Sequence, residues 1–180
     1  MKLIIASDIH GSAKYCRCLM ERINEEKPDR VLLLGDILYH GPRNALPEEY
    51  APPAVCDMLN GIAENIICVR GNCDGEVDGM VLKFPILNNI AVIADGTFIF
   101  TAVHGHHLDD GTVLAPSSGG TVVYGHTHIP ADYVNNGTRY INPGSVSIPK
   151  EGSLHSYISY SDGEFVFKNA EDGKAYSING

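Results

Sequence analysis

The sequence has no tryptophan, only five cysteines, no C-x-x-C pair and no apolar run near the roughly 20 residues of a membrane helix. Cys16, Cys18, Cys56, Cys68 and Cys73 are odd in number and scattered, which excludes zinc-finger spacing and fits reduced thiols in a cytoplasmic protein. The opening apolar run is broken by Asp8, too early for the core of a secretory signal. Cations are scarce: 13 Lys and Arg stand against 22 Asp and Glu, a formal charge of −9. Broad binding to nucleic acid or to an anionic membrane is therefore not expected, since both need clustered positive charge. Internal repeats and low-complexity tracts are absent too.

What is present suits one folded domain over residues 1–180, with 44% hydrophobic and 19% charged residues. Residues 2–7 form a continuous apolar run, the pattern of a strand buried on both faces. Ser12 can cap a helix carrying Tyr15, Leu19 and Ile23 on one face, stopped by Pro28. A second strand is expected at Val31–Leu34, a helix from Pro53 with Val55, Leu59 and Ile62 on one face, and a third strand at Ile66–Val69. That alternation predicts an α/β fold with a parallel sheet. From there strands dominate: Ile90–Ala94, Thr97–Val103 and Thr121–Tyr124 separated by loops, then hairpins over Asn136-Gly137 and Asp162-Gly163. The expected architecture is α/β, two sheets packed face to face as a sandwich flanked by helices. Two long connections, Gly41–Pro52 and Gly105–Gly120, are candidates for function.

Polar residues fall at the carboxyl ends of these strands. Asp8 and His10 follow the first, Asp36 the second, Asn72 the third, His104 the Thr97–Val103 strand, and His126 and His128 the next. In parallel sheets that edge is where ligands bind. Each residue alone reads equally as a turn or an ordinary core histidine; their conjunction does not. Two carboxylates, four imidazoles and one amide oxygen, with no thiolate, suit a borderline or hard divalent ion such as manganese, iron or zinc. Seven ligands exceed what one ion with an open position takes, and suit two ions with a bridging carboxylate. Such a pair holds a nucleophilic hydroxide on one side and neutralises phosphoryl oxygens on the other.

Asp8-Ile9-His10, Gly35-Asp36, Gly71-Asn72, His104-Gly105-His106 and Gly125-His126-Thr127-His128, in this order, resemble the five signature blocks of the calcineurin-like metallophosphoesterases. With Asn142-Pro143-Gly144-Ser145 the resemblance spans most of the chain, and it is nearest to small bacterial phosphodiesterases of the YfcE type. It implies one metal held by Asp8, His10, Asp36 and His128, and another by Asp36, Asn72, His104 and His126. Asp36, Asn72 and His104 then belong to the catalytic centre. One departure matters: Cys73 stands where many family members have a histidine that protonates the leaving group or stabilises the transition state, and a thiol is a poor replacement at neutral pH.

Arg43 and Arg70 are candidates for bidentate phosphate binding or for plain solvated arginines, and His40 is a candidate substitute acid. His106 and His107 read equally as solvent-facing or substrate-facing, and His155 as structural. The expected function is a cytoplasmic dinuclear phosphoesterase using two divalent ions, Mn²⁺ first and Fe, Ni or Zn as options, with phosphodiester hydrolysis by metal-bound hydroxide. The alternatives are a phosphomonoesterase or nucleotidase, and a non-catalytic protein-binding scaffold on the same fold, as in the retromer subunit. The expected partner is a small phosphate ester, with a homo-oligomer as an option and no membrane contact.

Overall fold

The first strand, β1 (Lys2–Ala6), buries Leu3, Ile4, Ile5 and Ala6 completely, so both of its faces are covered. In the computed structural model, which describes residues 1–108 and 119–178, the side chains alternate between two cores. Ile4 and Ala6 join Tyr15, Leu19, Val55 and Leu59, which come from α1 (Ala13–Glu26) and α2 (Pro52–Asn60). Leu3 and Ile5 join Phe100, Val123 and Ile141 of a second sheet. In β2 (Arg30–Leu33) and β3 (Ile66–Cys68) the alternation repeats, with Val31, Leu33, Ile66 and Cys68 toward the helices and Leu32 toward the other sheet.

The second sheet comprises β4 (Ile90–Asp95), β5 (Phe98–Val103), β6 (Thr121–Val123), β7 (Pro130–Asn135) and β8 (Thr138–Pro143), in the order β4-β5-β6-β8-β7. β9 (Ser156–Ser161) and β10 (Glu164–Asn169) complete the first, in the order β10-β9-β1-β2-β3. β1, β2 and β3 pair in parallel, as the strand and helix alternation predicts, but β9 and β10 run antiparallel, so this sheet is mixed. Both expected hairpins form. Their central residues have φ of 49° and 79° at Asn136 and Gly137, and 52° and 85° at Asp162 and Gly163, as primed turns require. A third hairpin joins β4 to β5 over Gly96-Thr97, where a plain loop is expected from the sequence; Gly96, at φ 61°, is the first central residue, as in a type II′ turn.

Ser12 caps α1 by accepting from the Tyr15 amide at 3.3 Å, and Lys27, in the left-handed region at φ 49°, ends it. α2 starts one residue earlier than expected, at Pro52, and stops at Asn60, so Ile62 packs on the core from beyond the helix. A one-turn helix, α3 (Asp78–Val81), is too short to leave a period in the sequence. Among the described residues, α1 and α2 cover the first sheet alone; the outer face of the second carries a small cluster of Val103, Val122 and Tyr124. Residues 109–118 of the expected long connection lie outside the described residues.

Glu26, at the end of α1, ties the helix to the sheet. Its carboxylate accepts from Tyr157 Oη, from Ser159 Oγ at 2.7 Å and from Lys168 Nζ at 3.0 Å. Burial opposes its ionisation, but these three donors hold the carboxyl down to about 2. A carboxyl depressed on folding contributes stability that is full above its unfolded value and is lost as pH falls through about 2. Glu26→Gln is therefore expected to cost about 1–2 kcal/mol at pH 7, discounted for screening, with the gap to wild type closing in strong acid. Urea denaturation of both proteins at pH 7 and pH 3 checks this; a gap independent of pH would contradict it.

Candidate metal centre

Five of the seven expected ligands, Asp8, His10, Asp36, His126 and His128, have φ between 48° and 68°. Left-handed backbone at non-glycine residues costs about 1 kcal/mol or more each, and its concentration just beyond β1, β2 and β6 turns those side chains toward one another. The neighbouring glycines are needed for close approach. A Cβ on Gly71 would overlap Asp36 Oδ1 and the Asp36 amide nitrogen, and one on Gly125 would overlap Ser7 Oγ. This is the physical content of the Gly-Asn and Gly-His pairs.

Three imidazoles share one arrangement. The Nδ1 atoms of His10, His104 and His128 lie 2.7, 2.6 and 2.7 Å from the carbonyls of Tyr39, Leu34 and Ile148, so each donates there and turns its Nε2 toward the site. Those Nε2 atoms converge on the carboxylates: His128 to Asp8 Oδ1 at 3.3 Å, His10 to Asp8 Oδ1 at 3.5 Å, and His104 to Asp36 Oδ2 at 3.5 Å. Asn72 Oδ1 lies 3.0 Å from His104 Nε2, and His10 Nε2 lies 3.3 Å from His128 Nε2. Acceptor-type atoms crowd together here, and the fully buried Asp8 Oδ1 has no hydrogen-bond partner. Such crowding is unfavourable without a cation between the donors. The donor set thus fits divalent metal: Asp8, His10 and His128 form one group within 4.8 Å, and Asp8, Asp36 and His104 another.

The electrostatics agree. Burial opposes charge on Asp8, yet contacts with His10 and His128 hold its carboxyl well below the usual range. Burial likewise opposes protonation of His104, but Asp36 and Asp8 raise it to about 9. His126 is pushed down, first by burial and then by His104. Its backbone amide donates to Asp8 Oδ2 at 3.0 Å, and its ring centroid lies 5.1 Å from that of His104. It joins neither close donor group.

Supporting contacts come from residues outside the expected ligand set. The buried Asp74 carboxylate accepts from the amides of Asp36, Ile37 and Gly71 at 2.8, 2.9 and 2.7 Å, locking the β2 and β3 ends together. Ser145 and Ser147 both donate to the Asp8 carbonyl, and Asn142 donates to Gly125 O and Thr127 Oγ1. Asn142 and Ser145 belong to the Asn142-Pro143-Gly144-Ser145 turn noted in the sequence, and the local signal for Asp74 is a carboxylate two residues beyond Asn72.

A cavity of about 390 Å³ opens over Asp36, Asn72, His126 and His128. Arg43 lines it, as do Asn44 and Lys150, neither of which was a candidate; Lys150 lies beyond His128 in a loop with no local motif. Cys73 lines it too, and its thiol groups with His10 and Asp36. Burial and the nearby Asp36 push that thiol up to about 12. Arg70 lies outside this cavity, in another. His40 does not line it: its ring packs edge-on between Tyr39 and Tyr50, with Nδ1 buried and unpartnered. His106 is half-buried and His107 exposed, while His155 stacks on Tyr15 with centroids 3.7 Å apart. Cys16 and Cys68 are in the core and Cys56 packs at its margin.

Comparison with known proteins gives the same picture. Residues 1–161 match the calcineurin-like phosphoesterase superfamily domain. The chain is 45% identical over 158 residues to phosphodiesterase YfcE of Escherichia coli strain K12, covering 87% of this chain and 85% of that one. The solved structure of Escherichia coli YfcE, a phosphoesterase, superimposes with a TM-score of 0.91 at 40% identity, over 98% of this chain and 97% of that one. Vps29 of Entamoeba histolytica complexed with zinc shares the fold at a TM-score of 0.63 and 19% identity, over 98% of this chain and 96% of that one. With these blocks in order, their side chains gathered at one edge and the family model matched along most of its length, the chain belongs to the calcineurin-like phosphoesterase superfamily.

Proposed function

We propose that the protein is a dinuclear metal-dependent phosphodiesterase, one domain over residues 1–180. The observation that carries this reading is the convergence of three Nε2 atoms on two buried carboxylates, each imidazole being anchored through Nδ1 to a backbone carbonyl. Asp8, His10, Asp36 and His128 would hold one ion and Asp36, Asn72, His104 and His126 the other, with Asp36 shared. Mn²⁺ is the preferred ion, and iron, nickel and zinc suit the same donors. When bound, the pair supplies positive charge to phosphoryl oxygens and lowers the pKa of water.

The chain's own residues do the rest. Arg43 and Lys150, at the cavity walls, attract and orient the phosphoryl oxygens; Asn44 offers an amide donor beside them. The Cys73 thiol, at about 12, is a weak proton donor, and His40 stands outside the cavity. Among the described residues no strong acid is placed to protonate a leaving oxygen, which favours diesters with good leaving groups over alkyl monoesters. The similarity to a named phosphodiesterase supports the same choice over a monoesterase or nucleotidase. The fully occupied ligand set supports catalysis over a protein-binding scaffold, for which the Vps29 likeness speaks to fold alone. All five cysteines are free thiols, which supports a cytoplasmic setting. No helix among the described residues is long and apolar enough to cross a membrane.

Protein stripped by a chelator is expected to lose turnover of bis(p-nitrophenyl) phosphate by about a hundredfold or more and to recover it with added Mn²⁺. Absence of turnover with manganese, iron, nickel and zinc alike would overturn the reading.

A further inference from the structure

A second cavity, of about 370 Å³, shares Asn72 with the first; its other walls are Arg70, Gly71, Asn89, His106 and His107. It therefore begins where the metal-centre cavity ends, and Asn72, an expected ligand, is the partition. Among the described residues no carboxylate lines it, although acids outnumber cations 22 to 13 in the chain. Asn72, Asn89 and His106 bring amide and imidazole side chains able to donate hydrogen bonds.

Arg70 is held ready for a ligand. Its Nε donates to the Asp74 carbonyl at 3.1 Å and its backbone nitrogen to Asn88 O at 2.8 Å, which fixes one edge of the guanidinium. Many of the chain's cations are neutralised within the fold, as Arg17 is by Glu49, Lys14 by Glu48 and Arg139 by Asp132. Arg70 pairs with no carboxylate among the described residues, and its terminal nitrogens have no partner there. The half-buried His106 adds an Nδ1 atom that is buried and without a hydrogen-bond partner. An exposed guanidinium with no carboxylate partner among the described residues and one unsatisfied imidazole nitrogen, in a cavity contiguous with a phosphoryl site, suit an anion.

We propose that this cavity is the subsite for one ester arm of the substrate and that this arm carries a second anionic group, a terminal phosphate or carboxylate. The phosphoryl group to be cleaved lies at the metal centre, the arm passes Asn72, and its anionic end meets the Arg70 guanidinium. The inference rests on the metal-centre reading above and narrows its substrate class.

The test is calorimetric binding to Mn²⁺-loaded protein of three unreactive probes. These are an alkylphosphonate, the corresponding alkane bisphosphonate and the corresponding phosphonocarboxylate, with spacers of two to five methylenes. At least one two-headed probe is expected to bind about tenfold tighter than the alkylphosphonate, and the better of the two identifies the terminal group. Arg70→Gln, which removes the cation, and Asn89→Asp, which adds a repelling charge at an exposed wall, are each expected to shrink that ratio to below roughly threefold. Equal affinity for one-headed and two-headed probes in wild type would overturn the subsite and leave the metal centre standing, and so would a ratio unchanged in both variants. Failure of every probe to bind would overturn the metal centre and the subsite together.

Discussion

Asp36→Asn is expected to lower phosphodiester turnover by about a thousandfold or more while the fold survives. The substitution keeps the side chain's size, and an amide oxygen can still accept the Cys73 N–H bond that Asp36 Oδ1 accepts at 2.8 Å. What it removes is the negative charge facing His104 Nε2 at 3.5 Å and His10 Nε2 at 3.6 Å, at the point where both ion sites are proposed to meet. Both sites weaken together, so elemental analysis is expected to find less than half the wild-type metal content, with circular dichroism unchanged. Near-normal turnover with two ions retained would sink the shared-ligand assignment.

Loss of Asp74 is expected to damage the centre from outside it. Asp74→Ala leaves the buried amides of Asp36, Ile37 and Gly71 unpaired, at roughly 1–3 kcal/mol each before water recovers part of the loss. A cost of about 3–5 kcal/mol is a large share of an ordinary domain's stability. Asp74→Asn is the milder probe, since one oxygen still accepts, and about 2 kcal/mol is expected from it. In both variants metal affinity falls along with stability, because the same three bonds hold Asp36 against the Gly71-Asn72 turn. Urea denaturation and metal titration on Asp74→Asn read the two effects separately. A variant equal to wild type in both would remove Asp74 from the centre's support.

The metal centre is largely legible in the chain because its residues follow buried apolar runs. The central strands of each sheet run in parallel, so Asp8, Asp36 and Asn72 meet at one edge of the first sheet and His104 and His126 at one edge of the second. Gly71 and Gly125 are readable for the same reason: close approach of two strand ends leaves no room for a Cβ. Turn dipeptides announced two hairpins; the third, over Gly96-Thr97, carries no Asn-Gly or Asp-Gly pair at its two central positions and reads in the sequence as a plain loop.

Position along the chain, on the other hand, says little about residues that act through space. His40 directly precedes the Gly41–Asn44 stretch that lines the cavity, yet its ring is packed between Tyr39 and Tyr50. Lys150 lies far beyond the last signature histidine, yet lines that cavity, because its amide bonds to the His128 carbonyl at 3.2 Å and draws its loop to the site. Arg43 and Arg70 look equivalent as cations near strand ends, but they fall in different cavities with Asn72 between them.

By itself, then, the sequence located the strand ends and the candidate donor residues, since these follow from local hydrophobic runs and from the chemistry of each side chain. The tertiary structure alone decided that β9 inserts beside β1, that Asp74 braces Asp36 and that Arg70 faces a cavity of its own. Those outcomes depend on register and packing between segments remote in the chain, where the free energy of burial is settled by neighbours that no local pattern names.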